Sequence, residues 1–222
     1  MEITKEAFEF LTGFYPSNYE DSVKGLCEWA TNRAYLDMSR TLRFKRAPKE
    51  AKALDEVKEK LRNPARAKVV DIFYEQIGAL DGESFDKWHK ATCEMVMDYY
   101  NTFTDSEGQS LLLIDMSYGQ AQKWLNMTLK YIWLVLQTNK SFGYYKAVLD
   151  NQDKLHIPLD SYILAHIKKK GICKDDAGFC SSTWSKISDY NSYLKFQLEL
   201  RKALAPSSPI EWELVEWNSS LQ

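Results

Sequence analysis

The segment from Gln120 to Leu136 is apolar around most of its circumference, so as a helix it offers no face to water and has to be enclosed by the rest of the chain. Its most apolar part, Trp124 to Leu136, is interrupted by Asn126 and Lys130 and is too short to span a bilayer. Other helices, not lipid, are therefore the expected enclosure. The flanking sequence has the right pattern, because apolar residues recur at three- and four-residue steps and no segment sustains a two-residue alternation. Val23, Leu26, Cys27, Ala30, Ala34, Met38 and Leu42 make one such stripe.

Punctuation between stripes sets the expected helix ends. A first short helix is read over Lys5 to Leu11, ahead of Tyr15-Pro16. Pro48 suits the first turn of another, with Ala51, Leu54, Val57 and Leu61 inward and Asn63-Pro64 as its end. Val69, Val70, Phe73 and Ile77 form the next face, closed by Gly78 and Asp81-Gly82, and Ser84 then caps a helix carrying Phe85, Trp88, Val96 and Tyr100. Tyr118-Gly119 reads as a break before the central helix, and Leu111 to Ile114 as a short apolar turn. Asn139 to Leu155 reads as irregular or weakly helical. Asp160 opens a helix whose basic end, Lys168-Lys169-Lys170, suits the negative pole of the helix dipole and whose stop is Gly171. A helix over Asp189 to Leu204 comes next. Ser208-Pro209-Ile210-Glu211 is then a capping box opening the last helix. The expected fold is an all-α globule of about nine or ten helices, one domain over residues 1–222 with a candidate lobe boundary near 102–110.

With 45% hydrophobic and 27% charged residues, disorder is a poor reading. The formal net charge of −2 hides segregation: between Arg40 and Lys68 eleven Lys and Arg face four Asp and Glu, and Met116 to Leu149 carries four lysines and no acid. Separated positive charge attracts polyanions even on an acidic protein, although interleaved charges also describe an ordinary solvated helix face. The 4 Cys and 3 His lack the paired spacing of a zinc ribbon or disulfide framework. The acids near the start of the chain do not suit a secretory leader. Reduced thiols, a cytoplasmic location, no membrane, no metal and no cofactor are the expectations.

His89 and Cys93 lie one helical turn apart, and His166, Cys173 and Cys180 follow in order around a helix end, but neither set completes a metal site by itself. Trp88, Tyr99 and Tyr100 read either as core or as a base-stacking wall. The most informative constellation joins Tyr118-Gly119-Gln120-Ala121-Gln122-Lys123 to His156-Ile157-Pro158-Leu159-Asp160. The positive pole of a helix and removal from water both disfavour an ammonium, and a neutral amine attacks the anomeric carbon of a deoxyribose. A carboxylate at a neighbouring helix start stabilises the developing sugar cation or relays a proton.

A Gly-containing turn, a lysine, an apolar helix and then Ile-Pro-Leu-Asp opening another helix resemble the helix-hairpin-helix DNA glycosylases, among them the archaeal 8-oxoguanine branch with its longer spacer. The resemblance implies Lys123 as the Schiff-base nucleophile and Asp160 as the catalytic carboxylate. Lys130 is the second-choice nucleophile, set deeper in the helix. The implied partner is duplex DNA, held through Gly119, Gln120 and Gln122 at the turn and through Lys168, Lys169 and Lys170. The sequence departs from the family pattern at the turn, where Gly119 stands alone. Cys173 and Cys180 show one cluster spacing without the further cysteines an iron-sulfur centre needs. The competing reading is a non-catalytic helical protein whose aromatic-rich surface binds another protein.

Overall fold

A computed structural model describes residues 22–44, 54–80, 84–104, 108, 110, 112–138, 142–172 and 177–219. The helix read over Lys5 to Leu11, the start at Pro48, the Asp81-Gly82 turn and Cys173 lie outside the described residues. Among those described, the protein is an all-α globule of nine α-helices with one two-stranded ribbon. Helices α1 (Val23–Met38), α2 (Leu54–Gly78) and α3 (Phe85–Thr102) precede the central α4 (Tyr118–Thr138). After it come α5 (Lys146–Asp150), α6 (Ser161–Lys170), α7 (Ala177–Cys180), α8 (Tyr190–Leu204) and α9 (Pro209–Ser219). β1 (Arg43–Phe44) pairs antiparallel with β2 (Leu112–Ile114).

Helix α4 is enclosed as its composition demands: every residue from Gly119 to Leu136 is buried. It packs most extensively along α1, and also against α3 and the short 3-10 turn Trp184–Lys186. Trp124 is its anchor, meeting Tyr35, Phe73 and Tyr100 at ring separations of 5.1, 5.9 and 5.5 Å and donating its indole N–H to the Thr31 carbonyl. Its first turn is closed by a capping box. Ser117 Oγ accepts from the Gln120 N–H, and Gln120 Oε1 accepts from the Ser117 N–H at 3.0 Å. Gly119 is therefore inside the helix and is not the break its sequence neighbourhood suggests.

Pro64 likewise does not end a helix; α2 runs through it. An internal proline costs about 3 kcal/mol in lost bonding and ring clash. The inward face that continues beyond it, with Ala65, Val69, Phe73 and Ile77 all inaccessible to solvent, outweighs that cost. Ser84 stands at the start of α3 but its side chain makes no capping bond. Two other ends match the sequence closely. Gly171 adopts the left-handed conformation (φ 69°) that stops α6, and Ser208 and Glu211 bond reciprocally at the start of α9. Among the described residues the buried core cluster includes members from Leu26 to Leu214.

Candidate functional site

Burial of α4 on all sides forces each of its polar side chains to find a partner inside the protein. Gln120 Nε2 donates to the backbone and hydroxyl oxygens of Thr41, at 2.9 and 3.1 Å. Gln122 Nε2 donates to the carbonyls of Gly119 and Leu159, and Asn126 Nδ2 donates to Gln122 Oε1 and the Tyr193 hydroxyl. The two lysines take carboxylates. Lys123 Nζ lies 2.7 Å from Asp160 Oδ2, and Lys130 Nζ is hydrogen-bonded to Glu213 Oε2.

Asp160 serves two elements at once. It is the N-cap of α6, its Oδ1 accepting from the Ile163 N–H at 2.8 Å while Oδ2 receives Lys123. Burial on its own raises a carboxyl pKa, but here the Lys123 charge and the Ile163 N–H overcome it, and Asp160 is held below its ordinary range. Gln122, gripping the carbonyl of Leu159, ties the residue before this cap to the same turn of α4 that carries Lys123.

Both ion pairs line one cavity of about 180 Å³ between α1, α4, the start of α6 and α9. Lys123, Met127, Lys130 and Leu134 stand at three- and four-residue steps along its α4 wall, and Asp160 and Glu213 face them. Helix α1 contributes Arg33 and Asp37, and Arg40 stands just beyond its end. Tyr131 donates its hydroxyl to Asp37 at 2.8 Å, and burial together with the Asp37 charge raises the phenol above its ordinary range. The Arg33 Nε is buried with no hydrogen-bond partner among the described residues. A lysine, its carboxylate partner and the Arg33 and Arg40 side chains thus meet in a space below the roughly 300–1,000 Å³ of ordinary small-molecule pockets.

No protein-family model, no curated protein and no solved structure matches the chain. Geometry and chemistry are therefore the grounds for a functional assignment.

The remaining residues expected at the site have other placements. The Gly119 N–H is donated to the Ile187 carbonyl at 2.9 Å, and a Cβ on Gly119 would meet the Trp184 carbonyl oxygen at 1.8 Å, so this amide is covered and already committed. Gly119 is expected as a phosphate contact, and Gln120 and Gln122, expected beside it, are likewise buried with internal partners. Lys168, Lys169 and Lys170 are exposed at the far end of α6, about 15 Å along the axis from Asp160. Lys168 bonds to Ser181 Oγ at 3.0 Å and Lys170 pairs with Glu216.

His89 and Cys93 are core residues. His89 Nε2 lies 2.8 Å from Asn126 Oδ1, and no group of three or more potential metal ligands occurs among the described residues. His166 is bonded to Glu216, and Cys180 is buried. Tyr100 is fully buried and Trp88 donates its indole N–H to the Gln76 carbonyl; neither they nor Tyr99 line the cavity. Sequence reasoning missed Glu213, Asp37 and Arg33. For Glu213 a signal existed, because Ile210, Glu213 and Leu214 occupy one helical face and put an acid at a core position.

Proposed function

We propose that the protein is a DNA glycosylase/lyase that acts on a modified base through a Schiff base on Lys123. The single observation that supports this reading is the part-buried Lys123–Asp160 contact of 2.7 Å opening on a cavity of about 180 Å³. In the reaction the Lys123 amine attacks C1′ of a flipped nucleotide, and Asp160 relays the proton that the lysine gives up to the departing base. The bond from C1′ to the base breaks, and the base leaves with the bonding electron pair and acquires a proton. Ring opening of the sugar then yields an iminium between Lys123 and C1′. Removal of a C2′ proton expels the 3′ phosphate, and water releases the lysine.

Borohydride reduction of the iminium tests this directly, since it leaves protein covalently attached to an oligonucleotide carrying oxidised guanine or an abasic site. The native chain should trap. Lys123→Gln should not, because an amide is not a nucleophile. Asp160→Asn should slow trapping by about 10²-fold or more, the scale of a lost acid-base group. Asparagine caps helices as well as aspartate does, so α6 remains formed. Equal trapping by Lys123→Gln transfers the assignment to Lys130. No trapping of the native protein on any lesion ends the lyase reading. The alternative then stands, a non-catalytic protein that docks a partner, which the adjacent exposed side chains Leu113 (66%) and Ile114 (62%) favour.

A further inference from the structure

A larger cavity of about 460 Å³ lies beside the first and shares Arg40 with it. Three cationic side chains from distant parts of the sequence line it: Arg40 after α1, Arg43 on β1 and Lys186 in the turn before α8. Among the described residues the only acid in its lining is the exposed Asp115. None of the three cations has an ion-pair partner among the described residues. Gathering like charges in one concavity is unfavourable by itself, and here the exposed Asp115 is the sole lining acid among the described residues to offset three cations.

The segments that carry these cations are fastened to the start of α4. Gln120 holds Thr41, Ser117 Oγ donates to the Ser185 carbonyl at 2.8 Å, and the Gly119 N–H holds Ile187 at 2.9 Å. Gly119 and Gln120, which the family resemblance assigned to DNA itself, thus position with Ser117 the chain segments bearing the charges. Guanidinium groups match phosphate oxygens in paired hydrogen bonds, and an ammonium adds a point charge.

We infer that this basic cavity is the phosphodiester subsite of the protein, receiving a backbone phosphate of duplex DNA next to the nucleotide that enters the Lys123 cavity. The choice of polymer rests on the glycosylase reading; the preference for phosphate rests on the cavity itself. Arg40 stands in the walls of both spaces, so a strand bound across it presents a phosphate on one side and a sugar on the other. Phosphate contact is thereby assigned to Arg40, Arg43 and Lys186 in place of Gly119 and the Lys168–Lys170 cluster.

The test is anisotropy of a fluorescent duplex containing a stable abasic-site analogue, titrated at several salt concentrations with the native chain and with Arg43→Gln/Lys186→Gln. Both replaced side chains are exposed and stand outside the Lys123 cavity, so circular dichroism should be unchanged. Each lost phosphate contact lowers the slope of log K against log salt by about 0.9, so the double variant should lose about 2 units of slope. Asp115→Asn should shift affinity the other way and bind more tightly. An unchanged slope in the double variant overturns the subsite. So does a free nucleoside monophosphate that binds the native chain as tightly as the duplex, because the cavity then serves a small ligand. Borohydride trapping separates the two readings. Charge-dependent binding without trapping removes the lyase chemistry and keeps the subsite, whereas trapping with an unchanged slope removes the subsite and keeps the chemistry.

Discussion

Mild acid should destabilise the protein through His156 before Asp86 and Asp160, both held below their ordinary range, begin to take up protons. His156 is buried at the residue that begins the chain's approach to Asp160, with Nε2 3.0 Å from Asp86 Oδ1 and Nδ1 2.9 Å from the Tyr193 hydroxyl. The Tyr193 oxygen already accepts from Asn126 Nδ2 and Gln197 Nε2, so its own O–H has to donate to Nδ1. A second ring proton therefore has no acceptor. Burial is the main cause holding the imidazole down to about 4 from an ordinary 6.5; Asp86 pulls upward, and the Arg201 guanidinium, which chelates Asp86, pushes down. His89, with its ring 4.3 Å from that of His156, is lowered in the same direction by burial and by its neighbour.

The unfolded chain takes up this proton near pH 6.5 and the folded protein only near 4, so the stability is complete above the first value and is lost as the pH falls towards the second. At about 1.4 kcal/mol per pKa unit the full loss is about 3 kcal/mol, of which about 2 kcal/mol appears between roughly pH 7 and pH 4.5. Asp86 and Asp160 are both lowered from 3.8 and begin to contribute only below that window. Urea unfolding at a series of pH values measures the effect. His156→Gln should reduce the pH dependence of ΔG, leaving the share that His89 contributes, even if it lowers ΔG at every pH, since a glutamine does not titrate. A native protein equally stable at both ends of the window, or a variant with undiminished slope, would refute the assignment.

Lys130→Met should cost about 3–5 kcal/mol in urea unfolding, because it strands the Glu213 carboxylate at 2% exposure, while Lys130→Met/Glu213→Leu should recover most of that loss; a single variant as stable as the native chain would contradict the buried pair. Gly119→Ala should destabilise by about 1–3 kcal/mol despite the better helix propensity of alanine, since its Cβ would stand 1.8 Å from the Trp184 carbonyl oxygen; a raised melting temperature would show that the 184–187 turn does not cover α4. The Cys27 thiol, pushed up to about 12 by burial, and the Cys93 thiol, raised further in the same way, should resist iodoacetamide at neutral pH until the protein unfolds, as peptide mass spectrometry would reveal; labelling at the unfolded rate would exclude their burial.

What the sequence determined alone lies within the reach of a helical turn. Residues three and four apart settle which face is apolar, and a side chain settles whether the backbone groups of its own turn are satisfied. That is why α1, α4, α6 and α8 stand where the periodicity puts them, why Asp160 and Ser208 open helices, and why Gly171 ends one. Pro64 and Gly119 escaped the same logic because their local preferences, at about 1–3 kcal/mol, are small beside the burial of a helix face or a capping box closed by Gln120. The residue types at Lys123 and Asp160 were legible, but their 2.7 Å contact was not, since 37 positions separate them and only the packing of α6 against α4 brings them together. The partnership of Lys130 with Glu213, across 83 positions, and the convergence of Arg40, Arg43 and Lys186 on one cavity are decided by tertiary structure in the same sense. A charge reads as solvated until the fold buries it, and it then requires a partner that local sequence does not name.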